Sequence, residues 1–166
     1  TASQHFKTSL CFRYDQGQLF EKLTEALASK KGQKFLDDYY PPTLTSLIPS
    51  VSKTNLNENW FKLKWVRLGD LYKNQTMSLA DQSTFTPSDV LQGYFGDSYL
   101  SNTLSCLAEF PDLTRQMFGY QKPNNTGIYH VRLFDNGVPY TAIVDDYIPC
   151  LETEDGVLEP AFVQSR

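Results

Sequence analysis

Residues 92–100 have the sequence Gln92-Gly93-Tyr94-Phe95-Gly96-Asp97-Ser98-Tyr99-Leu100, and the apolar pattern that follows them is helical. A glutamine thus stands six residues before a small hydroxyl residue at the predicted start of a helix. A helix N-terminus stabilises a nearby negative charge, and a side-chain amide beside it can donate to a developing oxyanion. The stretch therefore has the layout of a nucleophile site, with the hydroxyl of Ser98 where a thiol would be the stronger nucleophile.

A nucleophile at position 98 also needs a histidine as its base, usually oriented by an asparagine or aspartate. The chain has two histidines. His5 lies in an N-terminal stretch without periodicity, and His130 lies on a predicted strand, where a structural or surface role is favoured over catalysis. The sequence therefore predicts the setting of a nucleophile without its base. A helix N-cap or first-turn serine is the alternative role of Ser98.

The composition sets the size and class of the fold. The chain has 166 residues, 40% of them apolar and 14% aromatic, which is enough for the core of one domain or of one lobe of a larger domain. The net charge of −4 gives no electrostatic reason to expect binding to nucleic acid or to an anionic membrane. No apolar run approaches the ~20 residues that span a bilayer, so no membrane span is predicted.

The cysteines indicate the redox compartment. Cys11, Cys106 and Cys150 are odd in number, far apart and without a Cys-x-x-Cys pair. Such a set suits a reducing compartment and disfavours a structural zinc site. A cytoplasmic location is therefore predicted. Cys106 lies two turns along the helix that begins at Ser98, and we expect it to belong to the core.

Local patterns predict an α+β arrangement. Residues 1–30 form an arm and an amphipathic helix over Asp15–Ala28, and residues 31–166 form the main unit. Within that unit we expect an extended path through the double proline at 41–42, which Ser46-Leu47-Ile48-Pro49 closes as a loop, and a polar linker over 73–87. The other predicted elements are a strand over 61–65, helices over 98–110 (with Asp97 as N-cap) and 112–118, two strands over 128–134 and 140–148 joined by Asp135-Asn136-Gly137, and an irregular tail from Glu152.

Several of these stretches together resemble the calpain-type cysteine proteases. The family pattern Gln-Gly-x-x-Gly-Asp-Cys-Trp/Tyr is matched by residues 92–99, with Ser98 at the position of the cysteine. Further matches over about 35–165 are Phe35-x-Asp37-x-x-Tyr40-Pro41…Ser46-Leu47, Trp65-Val66-Arg67, Gly127-Ile128-Tyr129-His130-Val131-Arg132-Leu133 and Val144-Asp145-Asp146-Tyr147-Ile148-Pro149.

The resemblance implies the N-terminal lobe of a papain-like core, with a central nucleophile-bearing helix and short antiparallel strands. It implies Ser98 at a degenerate nucleophile position and Gln92 at the oxyanion-hole position. The family's histidine and asparagine come from a second lobe, which this sequence does not include. The chain is therefore predicted to be inactive.

Calcium is the second feature that the resemblance implies, because the family binds it in each lobe. Asp89 matches one acidic ligand position of the first-lobe site, whereas Thr84 stands where the family has a glycine ligand. No cofactor is expected, and calcium binding through Asp89 stays open beside a turn-capping role. Asp145 and Asp146 could also attract a metal, although a strand end in solvent is favoured.

Three functions remain open at this point. The chain could be an inactive binding or structural module of a larger assembly, with a protein partner or a second protease lobe covering its exposed cleft face. It could be a fragment or Cys-to-Ser variant of an active calcium-dependent cysteine endopeptidase. It could also be a cytoskeletal or scaffold component that only reuses the lobe.

Overall fold

The computed structural model describes residues 16–30, 32–48, 56, 58–73, 86–118 and 124–165. The predicted N-terminal arm, most of the predicted linker, Cys11 and His5 lie outside this described part of the chain.

The helices agree with the predicted pattern at most positions. They are α1 (Gln16–Ala28), α2 (Leu44–Leu47), α3 (Leu68–Leu71), α4 (Ser98–Ala108) and α5 (Pro111–Phe118), with 3₁₀ turns at Glu58–Lys62 and Pro87–Asp89. The three long predicted helices are confirmed, with each end within two residues of its expected place. The short helix α2 was not predicted, because a loop was expected between Pro42 and Pro49.

Seven short strands form three antiparallel sheets. They are β1 (Lys64–Arg67), β2 (Val90–Leu91), β3 (Ile128–Asp135), β4 (Val138–Asp145), β5 (Tyr147–Glu152), β6 (Leu158–Pro160) and β7 (Gln164–Ser165). The sheets have the orders β1-β5-β6, β2-β7 and β3-β4. The described chain is thus α+β, as predicted, but its tail is not irregular, because β6 and β7 each pair with an earlier strand.

The β3–β4 hairpin confirms the turn prediction. Its register runs from Ile128 opposite Asp145 to Asp135 opposite Val138. Asn136 and Gly137 connect the strands with φ angles of 51° and 80°, which a two-residue hairpin turn of this type requires.

The predicted strand over 140–148 is broken at Asp146. The Asp146 carboxylate is buried and accepts a hydrogen bond from the Arg67 guanidinium, which also donates to the Phe35 carbonyl at 2.7 Å. Its neighbour Asp145 accepts from the backbone N–H groups of Asp37 and Tyr147, each at 3.0 Å. Asp145 ends β4 as expected, but the expectation that the two aspartates lie in solvent is wrong, because the Asp146 carboxylate is buried and both carboxylates hold separate chain segments together.

The strand predicted over 61–65 begins later than expected. Residues up to Lys62 form a 3₁₀ turn, and β1 starts at Lys64, opposite Cys150 of β5. The turn allows Trp60 to pack on Phe95, with ring centroids 4.0 Å apart. A straight strand through this segment would not bring Trp60 equally close to Phe95. Tertiary packing therefore overrides the alternating apolar pattern that predicted a strand over 61–65.

Candidate functional site

The stretch from residue 92 to residue 98, here called the glutamine loop, alternates between solvent and interior. Every second side chain from Gln92 to Ser98 is exposed, and the intervening Phe95 and Asp97 are buried at 6% and 5% relative exposure. The exposed residues of the loop, here called its outward face, are Gln92, Tyr94, Gly96 and Ser98.

The glutamine loop rests on residues 159–163, here called the backing segment. A Cβ atom on Gly93 would lie 2.4 Å from the Phe162 carbonyl oxygen and 2.5 Å from that of Ala161, so only glycine fits. Next to it, the backbone N–H groups of Tyr94 and Phe95 both donate to the Ala161 carbonyl, at 2.9 and 3.2 Å. The loop backbone is thus fixed by direct contact with the backing segment.

Aromatic packing holds the inner side of the glutamine loop. The Phe95 ring stacks on Phe162 with centroids 5.2 Å apart and also contacts Trp60. Leu151 and Ala161 complete the buried cluster. Burying large aromatic side chains is worth several kcal/mol in total, so this cluster is the main anchor of the loop.

Asp97 is the N-cap residue of α4, as predicted, but its side chain binds elsewhere. Its side chain makes no capping hydrogen bond to α4. Instead its Oδ2 accepts the backbone N–H of Val163 at 2.5 Å, across a separation of 66 residues. Its backbone carbonyl accepts the N–H groups of Leu100 and Ser101. The side chain therefore attaches the loop to the backing segment, and the helix begins without it.

Gln92 and Ser98, the two predicted site residues of the loop, are both exposed. Ser98 is the first residue of α4, where the helix dipole favours negative charge. Gly96 lies between them in the sequence, and a Cβ atom there would meet nothing within 4 Å. Residue 98 is thus accessible at a helix N-terminus and has a hydroxyl, while the roles of Ser98 and Gln92 as nucleophile and oxyanion-hole positions stay predictions.

His130 is the one histidine in the described part of the chain. It lies on β3, and its ring packs edge-on against Phe20 of α1, with centroids 4.5 Å apart. Burial, with a smaller contribution from Arg132, lowers the pKa of His130. This contact agrees with the structural role expected for His130.

Cys106 is exposed, so the expectation that it belongs to the core is wrong. The buried residues of α4 are Ser101 and Ala108. Cys106 follows Ser101 by five positions, which places it about 140° around the helix at 100° per residue. Cys150, in contrast, is fully buried, and burial raises the pKa of its thiol to about 11.

Asp89 caps the short 3₁₀ turn that precedes β2. Its Oδ2 accepts the backbone N–H of Thr86 at 2.7 Å and the Thr86 hydroxyl at 2.9 Å. The described residues contain no cluster of three or more acidic, histidine or cysteine side chains that could hold a metal ion. The capping role is therefore observed, and the role of Asp89 as a calcium ligand stays a prediction.

Sequence reasoning missed the contact between Tyr94 and Glu159. The Tyr94 hydroxyl donates to Glu159 Oε2 at 2.5 Å, and this hydrogen bond raises the pKa of Tyr94. The only indication for Tyr94 was its place among the alternating exposed positions of the glutamine loop. Glu159 had none, because it lies in a tail without visible periodicity.

Comparisons with known proteins agree with this fold and site. Residues 35–165 match the family described as calpain family cysteine protease. The chain is 30% identical over 145 residues to the calpain-type cysteine protease ADL1 of Oryza sativa subsp. japonica, covering 86% of this chain and 6% of that protein. It is 31% identical over 157 residues to the calpain-1 catalytic subunit of Rattus norvegicus, covering 90% of this chain and 20% of the relative.

A third relative, calpain-5 of Caenorhabditis elegans, is 28% identical over 154 residues, with 88% of this chain and 22% of the relative covered. The helices and short antiparallel strands of the described residues are those of a lobe of a cysteine protease core. The chain belongs to the calpain family of cysteine proteases. It spans less than a quarter of the length of these relatives. None of the helices among the described residues has the length and apolar character needed to cross a membrane.

Proposed function

We propose that this lobe is a catalytically inactive, calpain-like module that binds an extended peptide or a protein partner within a larger assembly. The observation that carries the proposal is the exposure of Ser98, which by the resemblance occupies the family's cysteine position, together with the exposure of Gln92 in the same loop. The glutamine loop has the residues of an oxyanion-type site around a residue that has no thiol. This combination supports a lobe that still binds a peptide or protein but no longer catalyses hydrolysis.

The place of the histidine in the described part of the chain supports this proposal. A serine hydroxyl is a poor nucleophile unless a histidine removes its proton. The described histidine, His130, packs against Phe20 on the hairpin. Losing one member of a catalytic triad typically leaves only the residual rate that comes from binding and oxyanion stabilisation.

The partner follows from the resemblance to the family. In the family, a second lobe supplies histidine and asparagine and covers the cleft face of this lobe. That second lobe, or a separate protein in its place, is the partner we propose for the face formed by Gln92, Tyr94 and Ser98. A cytoplasmic location, with cytoskeletal association as one form of the assembly, belongs to the same proposal.

Hydrolysis of casein is the direct test. The purified chain is incubated with fluorescein-labelled casein, with and without millimolar calcium, beside an active calpain as positive control. We expect no fluorescence release above that of a buffer blank under either condition. Release that depends on Ser98, and is lost in a Ser98→Ala variant, would overturn the proposal.

The second candidate is an active calcium-dependent cysteine endopeptidase, of which this chain is a fragment or a Cys-to-Ser variant. The close fit of the glutamine loop on the backing segment favours it, because oxyanion stabilisation requires a loop that is held in place. It requires a cysteine codon at position 98 of the natural gene and a histidine- and asparagine-bearing lobe downstream. A serine codon at that position would exclude the Cys-to-Ser variant.

Calcium binding through Asp89 is proposed only as part of this second candidate. Isothermal titration of the chain with CaCl₂, beside an Asp89→Asn variant, measures it. Asparagine keeps an oxygen that can accept the Thr86 hydrogen bonds, so the variant removes the charge and leaves the turn in place.

A further inference from the structure

The outward face of the glutamine loop has a third functional group besides Gln92 and Ser98. Tyr94 is exposed as well, at 55% of the residue. The family pattern leaves this position open. An exposed aromatic ring beside a nucleophile position offers a stacking surface to any ligand that lies there.

A hydrogen bond fixes the Tyr94 ring in this place. Its hydroxyl donates to Glu159 Oε2 at 2.5 Å, across 65 residues of sequence. Its backbone N–H donates to the Ala161 carbonyl at 2.9 Å. Because both ends of the residue are tied to the backing segment, the ring does not need to be ordered when a ligand binds.

The Glu159 carboxylate gives this surface a negative end. On the neighbouring strand, Glu152 is paired with Lys64 at 2.5 Å, whereas Glu159 has no ion pair within the part of the chain that the structure describes. The buried Asp97 carboxylate adds a second negative charge beneath the loop. An aromatic face that ends at a half-exposed, unbalanced carboxylate is complementary to a side chain with an apolar stem and a cationic head.

We infer that Tyr94 and Glu159 form a subsite for a lysine or arginine side chain of a peptide bound along the glutamine loop. The inference rests on the proposed peptide-binding function and adds the chemical class of the ligand. The aliphatic stem stacks on the Tyr94 ring, and the ammonium or guanidinium group lies beside the Glu159 carboxylate. Tyr94 and Glu159 are thus specificity-determining residues, and Gln92 and Ser98 are not required for the preference.

Titrations of the ¹⁵N-labelled chain with two matched peptides test the subsite. The peptides are octapeptides of alanine, serine and leucine that differ only in a central lysine or norleucine. Amide shifts of residues 93–98 report the location of binding, and concentrations up to several millimolar allow weak affinities to be measured. We expect the lysine peptide to bind about three- to tenfold more tightly than the norleucine peptide. An exposed cation–π contact and an exposed ion pair together provide a difference of this size.

Two variants with the same change in net charge separate the subsite from general attraction. In Glu159→Gln the amide oxygen still accepts the Tyr94 hydroxyl, so the ring stays in place and only the charge is lost. We expect the lysine preference to fall by about 1.4- to fivefold, the share of the exposed ion pair, while the share of the aromatic ring remains. In the control Glu152→Gln, which changes a carboxylate that is already paired with Lys64, we expect the full preference.

Each other outcome overturns the subsite. If the wild-type chain binds lysine and norleucine peptides equally, the subsite is refuted while peptide binding stands. If both variants lower the preference equally, the charge acts at long range and not at Glu159. If neither peptide shifts any amide of a chain that circular dichroism shows to be folded, the subsite and the proposed peptide binding fail together.

Discussion

Replacing Gly93 by alanine should detach the glutamine loop from the backing segment. The added Cβ atom would lie 2.4 Å from the Phe162 carbonyl oxygen and 2.5 Å from that of Ala161. Contacts of a Cβ atom below 3.0 Å are essentially never observed, so the loop must retreat by at least 0.6 Å. Both of these oxygens belong to backbone, which cannot rotate away as the end of a flexible side chain can.

The cost of this retreat follows from the hydrogen bonds beside Gly93. The N–H groups of Tyr94 and Phe95 reach the Ala161 carbonyl at 2.9 and 3.2 Å, and a shift of 0.6 Å brings both to or beyond 3.5 Å. Each lost bond costs about 0.5–1.5 kcal/mol, and looser packing of the Phe95 ring adds to it. We therefore expect Gly93→Ala to lower the free energy of unfolding by about 2–3 kcal/mol.

Urea denaturation followed by tryptophan fluorescence measures this loss, because Trp60 contacts the Phe95 ring. Gly96→Ala is the matched control three residues along the same loop. A Cβ atom there meets nothing within 4 Å, so we expect a change within about 0.5 kcal/mol. If Gly93→Ala were as stable as Gly96→Ala, the close approach of loop and backing segment would be refuted.

Four further outcomes are expected. Ser98→Cys should create a thiol that reacts with iodoacetamide at lower pH than an ordinary cysteine, yet no casein hydrolysis should appear, because the histidine among the described residues, His130, packs against Phe20. Gly127→Ala should cost about 3 kcal/mol or more in urea denaturation, because the residue has a φ of 64° and its Cβ would lie 2.6 Å from an oxygen of a buried ion pair. In the native chain Cys106 should react with Ellman's reagent at pH 8 and Cys150 should not, since burial raises the pKa of the Cys150 thiol to about 11. Burial also raises the pKa of Asp37 above its ordinary 3.8, so the folded state keeps this proton where the unfolded chain has lost it. Stability should then fall as pH rises through the range just above 3.8, and Asp37→Asn should remove that part of the pH dependence.

For each of these four predictions, a specific result would contradict it. Casein hydrolysis by Ser98→Cys would place a base near position 98 in this chain. Gly137→Ala is the control for Gly127→Ala. Gly137 also has a positive φ, here 80°, but a Cβ atom there would have open space around it. If both variants lost the same free energy of unfolding, backbone strain alone would account for the cost. Labelling of Cys150 in the native state would contradict its burial. Parallel pH curves for wild type and Asp37→Asn would show that Asp37 has no raised pKa.

The elements with strong local signals were predicted from the sequence. The helix from Ser98 follows from its apolar spacing, and the β3–β4 hairpin follows from Asp135-Asn136-Gly137, because both depend on residues close together in the chain. The outward positions of Gln92 and Ser98 could also be expected. The strands that support the glutamine loop could not be predicted, because β6 and β7 are only three and two residues long and have no periodic pattern of their own.

Side chains that act over long sequence distances explain the remaining errors. Asp97 is the N-cap residue of α4, as expected, but its carboxylate accepts the N–H of Val163 and not one from the helix, which the local pattern does not reveal. Asp146 was expected in solvent, but it pairs with Arg67, 79 residues earlier. In each case a polar residue satisfies a buried partner from a distant segment, and a local reading favours the nearer partner.

The dependence of the glutamine loop on residues 159–163 has a consequence for the order in which the chain folds during synthesis. The contacts that seat the loop, such as Tyr94 with Glu159 and Asp97 with Val163, close loops of 65 and 66 residues. A nascent chain can form α4 as soon as that helix leaves the ribosome, whereas the loop cannot be seated until the backing segment has emerged as well. Closure over such distances is slow relative to helix formation, so the outward face that contains Gln92 and Ser98 should be among the last features of the lobe to form.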